Sequence, residues 1–133
     1  MLYAASSLSL ACLEILVHLR DPANLPDFIY SEIKIPTDEI RFWSWPESET
    51  PLLLESENLS RDIGDRWLNG HSPALTQPNY ADNSAPALQV PSVVVPQEHN
   101  ILINPEHPRF LRLIWSDPKP FRIDPRLVDP SLR

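Results

Sequence analysis

The sequence predicts an α+β fold in a single domain, and three observations carry that prediction. An apolar stretch with helical spacing comes early, short strand-like runs come late, and 16 prolines against 2 glycines break up the second half. At 133 residues the chain can bury one core but not two. Hydrophobic residues at 42% and charged residues at 22% match ordinary globular usage, so the chain is expected to fold despite its prolines.

Leu2-Tyr3-Ala4 reads as the end of a strand, and Ser6 or Ser7 can cap the helix that follows. Leu8, Ala11, Cys12, Ile15, Leu16 and Leu19 fall on one helical stripe, with Leu10, Leu13 and Val17 covering much of the remainder. This predicts a helix packed on nearly every side. Asp21-Pro22 ends it, because proline restricts the residue before it and donates no hydrogen bond. Phe28 to Ile35 alternates as one half-buried strand, with Ile29, Ile33 and Ile35 on one face, and Pro36-Thr37-Asp38 turns the chain.

The segment from Ile40 to Leu59 mixes aromatic, acidic and leucine-rich runs and defines no single element. Ser60 is the expected N-cap of a short helix carrying Ile63 and Trp67 at i, i+4, with Gly70 at its end. Residues 71–86 lack periodicity and predict an exposed loop or insertion. Leu88 to Val95 holds Pro91 and suggests an edge strand or bulge; Phe110 to Trp115 offers a strand, and Phe121 with Ile123 a last short one.

The net charge of −7 provides no attraction for phosphate backbones, so direct nucleic-acid binding is not expected. One cysteine, Cys12, excludes an internal disulfide and suits a reducing compartment, which predicts a cytoplasmic protein. The apolar opening lacks a basic leader, contains Glu14, and falls short of the ~20 residues a membrane span needs. With two glycines the chain forms neither a Walker loop nor a dinucleotide turn, and its four histidines lack metal-ligand spacing. No prosthetic group or metal is therefore expected. Cys12 and His18 sit about 240° apart around their helix and do not face each other.

Glu14 is the most informative residue, because an unpaired carboxylate among apolar helix neighbours is costly to bury. It can serve a polar seam with His18 at i, i+4, or a site. Tyr3 reads as a core aromatic or a site residue, and Ser92 as a small residue at a proline bulge or a site residue.

The segments L-Y-A-A-S-S-L-S-L-A-C-L-E-I-L-V-H-L, G-D-R-W-L, V-P-S-V-V-V-P, N-I-L-I-N-P-E-H-P and F-R-I-D-P-R-L occur in succession. That series resembles the RES domain family across essentially the whole chain, 1–133, with 71–86 as an insertion. The resemblance implies a fold similar to ADP-ribosyltransferases and an NAD glycohydrolase or phosphorylase toxin, with NAD as substrate and a helix-turn-helix antitoxin as partner. It places the family's tyrosine on Tyr3, its glutamate on Glu14 and its serine on Ser92. By chemistry, Tyr3 would stack on the leaving nicotinamide, Glu14 would stabilise charge on the ribose, and Ser92 would hydrogen-bond the substrate. The family's arginine, which would clamp the pyrophosphate, is expected in a segment before Met1, making the domain N-terminally incomplete; Arg66 belongs to a different segment. That gap motivates an alternative, a non-catalytic module that binds the antitoxin or associates with itself, with a homodimer left open.

Overall fold

In the computed structural model the chain is described over residues 1–19, 25–43, 57–70 and 83–132. Strand β1 (Leu2–Ala5) leads into helix α1 (Leu8–His18); short strands β2 (Phe28–Tyr30), β3 (Ile33–Lys34) and β4 (Ile40–Phe42) follow. Helix α2 (Glu57–Leu68) precedes β5 (Ala87–Pro91), β6 (His99–Ile103), β7 (Ile114–Trp115) and β8 (Lys119–Phe121). The result is α+β, as the order of helix and strand signals predicts.

The central sheet has the order β1-β6-β5-β4. β6 runs antiparallel to both neighbours, while β4 and β5 are parallel. Residues alternate between its two faces. Leu88, Val90 and Leu102 point to one side and pack with Trp43, Ile63 and Trp67, so α2 covers that face. Ala87, Ile101 and Ile103 point to the other and pack with Leu113, Ile33, Ile35 and Ile40. Two two-stranded ribbons, β2 with β8 and β3 with β7, lie outside this sheet.

Local chemistry explains several boundaries. Ser7 is the N-cap of α1, its Oγ accepting from Leu10 N at 3.1 Å. Gly70 ends α2 with a φ of +71°, a left-handed geometry that favours glycine, and its N–H donates to the Trp67 carbonyl. Gly64 lets α2 approach the sheet, since a Cβ there would meet Leu102 Cδ1 at 3.2 Å and Met1 Cε at 3.1 Å.

Other expectations are corrected. Helix α1 is not packed on every side: Leu10 is its buried residue, whereas Leu8 and Leu13 are exposed and Val17 is exposed at a cleft that the helix borders. The alternation from Phe28 to Ile35 is two strands with different partners, and Ile29 is 73% exposed rather than sharing a buried face with Ile33 and Ile35. Helix α2 begins at Glu57, so Ser60 lies inside it and is not its cap. β5 is central rather than an edge; Pro91 is tolerated because it is the last residue of the strand. Phe110–Arg112 forms a 3-10 turn before β7, and Ile123 is buried beyond the end of β8. Most of the expected 71–86 loop lies outside the described residues, as do Trp45 and Asp21-Pro22, but Ala85 and Pro86 at its end are buried.

Candidate active site

The turn from β1 into α1 is tied to the β5–β6 connection. Ser6 N donates to the His99 carbonyl at 2.9 Å, and Ser7 Oγ donates to Glu98 Oε2 at 3.0 Å. These bonds fix the start of α1 against the end of the sheet, so Glu14 in its second turn is held above β5 and β6.

Glu14 Oε1 there receives two donors. Ser92 Oγ donates to it at 2.8 Å and Asn100 Nδ2 at 2.6 Å. Among the described residues Oε2 has no donor. Ser92 is fully buried, and its Oγ also accepts from Val94 N at 3.1 Å and Val95 N at 3.0 Å. A hydroxyl has one proton and two lone pairs, so this serine uses its whole hydrogen-bonding capacity within the protein. The bend after β5 is closed further by Ser92 N donating to the Glu98 carbonyl.

Beside Glu14 opens a cleft of about 1070 Å³. Tyr3, Ala11, Glu14, His18, Phe28 and Asn100 contribute to its lining, so one carboxylate, one amide and one imidazole interrupt a largely apolar wall. Tyr3 is 59% exposed at this cleft rather than a core aromatic. His18 is exposed and lines the same cleft, while Glu14 turns to Ser92 and Asn100. The structure thus gathers Tyr3, Glu14 and Ser92 at one end of the sheet. It sets Ser92 behind Glu14 rather than in the cleft wall.

Sequence reasoning missed Asn100. What marks it is strand register rather than a sequence signal: it is paired with Ala5 and Val90, which puts it on the same face as Tyr3.

A second polar cluster lies elsewhere. Glu39 is fully buried after β3, and Arg109 Nε donates to its Oε2 at 2.8 Å while Arg112 donates to Oε1. Arg112 also pairs with Asp38 at 3.3 Å. These bonds pin the segment before β7 to the turn before β4, a supporting role. Among the described residues, no group of three or more His, Cys, Asp or Glu side chains is placed to hold a metal, and no helix is long and apolar enough to cross a membrane.

The RES domain family matches residues 1–124. A protein named Toxin Res from Yersinia enterocolitica is 35% identical over 134 residues, covering 95% of this chain and 76% of its own length. A Prs ADP-ribosylating toxin from Sphingobium is 34% identical, covering 95% of this chain and 73% of its own length. A Toxin Res from Photorhabdus laumondii is 33% identical, covering 95% and 74% respectively. The matched span contains the whole Glu14, Ser92 and Asn100 cluster, and the chain belongs to the RES domain family.

Proposed function

We propose that this chain cleaves the bond between nicotinamide and ribose in NAD, with NAD as substrate and no prosthetic group. The observation that carries the reading is Glu14: one carboxylate oxygen is anchored by two donors and the other has none among the described residues, beside a cleft large enough for a dinucleotide. When that bond breaks, its electron pair goes to the nicotinamide ring and positive charge develops on the ribose. A fixed carboxylate stabilises that charge without reorganising at the moment of reaction. Tyr3, exposed in the cleft wall, stacks on the leaving ring.

Ser92 serves this reaction through Glu14. The acceptor of the ribosyl group is water, phosphate or a protein side chain. One relative is named an ADP-ribosylating toxin, and transfer of ADP-ribose from NAD starts with breaking this bond. A cytoplasmic location and a helix-turn-helix antitoxin as partner complete the reading.

The test is nicotinamide release from NAD by the purified chain, with and without phosphate, beside Glu14→Gln. Release that Glu14→Gln abolishes supports the reading, and phosphate dependence identifies the acceptor. No release from folded protein, or equal release from Glu14→Gln, overturns it.

A second reading, a non-catalytic module that binds the antitoxin or a second copy, is favoured by the exposed apolar residues Leu2, Leu8, Leu13 and Val17 on β1 and α1. Capture of a helix-turn-helix antitoxin by folded protein that neither binds nor turns over NAD supports it.

A further inference from the structure

Helix α1 brings two ionisable side chains to the cleft. Glu14 is held by Ser92 and Asn100, and His18, the last residue of the helix, is exposed at the same cleft. Side chains four apart on a helix lie on one face, with about 5–6 Å between their Cβ atoms. Among the described residues the His18 imidazole has no hydrogen-bond or ion-pair partner.

Of the described residues that line the cleft, His18 is the one able to carry positive charge; the others offer one carboxylate, one amide, one phenol and apolar groups. A dinucleotide brings a diphosphate into this cleft, and the Glu14 carboxylate repels it. The phosphates are therefore best placed where a donor faces them. Within one nucleotide, the ribose carbon that loses nicotinamide and the 5′-phosphate are separated by the sugar ring and one methylene, roughly the rise of one helical turn. With that carbon at Glu14 and the nucleotide lying along α1, the phosphate comes to His18. An imidazole N–H donates to a phosphoryl oxygen, and the bond strengthens when the ring is protonated.

We propose that His18 is a specificity-determining residue that binds the phosphate on the nicotinamide ribose, so that the site selects a nucleotide over the bare nucleoside. The inference rests on the NAD reading and adds the group by which the phosphate is recognised. A basic side chain in the last turn of α1 also suits the helix dipole, but that role changes stability and leaves the choice of ligand alone.

The experiment measures nicotinamide release from NAD, from nicotinamide mononucleotide and from nicotinamide riboside, which has no phosphate. The wild-type chain is compared with His18→Ala and with His18→Phe, which keeps an aromatic ring but removes both nitrogens. Circular dichroism checks folding, and His18→Phe serves alone should His18→Ala fail to fold. Each variant is expected to lose at least about tenfold in kcat/KM with NAD and with the mononucleotide, as the loss of a charge-assisted bond implies, and less than about twofold with the riboside.

Equal losses with all three substrates, no loss with any, or a loss confined to NAD overturns the inference and leaves NAD cleavage standing. Folded wild-type protein that releases nicotinamide from none of the three removes both readings.

Discussion

Ser92 gives its one hydroxyl proton to Glu14, a residue 78 positions earlier, at 2.8 Å, while two backbone N–H groups fill its lone pairs. A serine with no capacity left over holds the carboxylate rather than the substrate. Ser92→Ala should therefore lower kcat for NAD cleavage and leave KM nearly unchanged. It should also destabilise the fold by about 1–3 kcal/mol, because Val94 and Val95 lose their acceptor. Steady-state kinetics and urea unfolding check both parts; a raised KM with unchanged kcat would contradict the positioning role.

Glu39→Ala should destabilise without touching the cleft. The substitution strands Arg109 and Arg112, but these side chains are 42% and 53% exposed and regain water, so the cost should lie near the lower end of the range for breaking a buried pair, about 3 kcal/mol. Arg112→Ala should cost less, since Glu39 keeps Arg109. Urea unfolding of the two variants, with the order Glu39→Ala above Arg112→Ala, is the measurement.

Gly64 separates two outcomes by size. Gly64→Ala adds a methyl that meets the end of the flexible Met1 side chain and Leu102, and gains about 1 kcal/mol of helix propensity, so it should be close to neutral. Gly64→Val should destabilise by about 1–3 kcal/mol, because fully buried Leu102 leaves no room for a branched side chain. Thermal melts of both variants test this.

Asp124 is held down to a pKa of about 2 by its hydrogen bonds from the Arg126 side chain and backbone. A carboxyl depressed in the folded state adds stability above its ordinary value of about 3.8 and loses it as pH falls towards about 2. Arg126→Ala should return Asp124 towards the ordinary value in an NMR titration. It should also flatten the stability change across that acidic window, the lost contribution appearing as a small drop in stability at neutral pH, small because both groups face solvent.

The parts legible in the sequence were those that local chemistry decides. Ser7 caps a helix whose stripe was visible, and Gly70 stops another because only its φ suits the turn. Ile63 and Trp67 are buried at the spacing that marked them. What was not legible depends on neighbours. β6 is covered on both faces, so Ile101-Leu102-Ile103 reads as a continuous apolar run without the alternation that reveals a strand. Pro91 suggested an edge, yet β5 is central, because a proline at the last position interrupts the ladder very little. Glu14 stood out by its surroundings in sequence, whereas Asn100 stands out only once β6 is paired with β1, bringing its amide under that carboxylate.

The pairing of β1 with β6 joins Leu2 to Ile103, so the two ends of the site are made far apart in time as well as in sequence. At roughly 5–20 residues per second, a growing chain carries Glu14 for several seconds before Ser92 and then Asn100 exist to hold it. Among the described residues β6 is the strand that pairs with β1, so until it emerges that pairing and the donors that direct the carboxylate are missing. The order of synthesis thus acts as a delay: a growing chain that has not yet reached β6 carries the Glu14 carboxylate without the donors that fix it, and the arrangement forms only after Asn100 has been made.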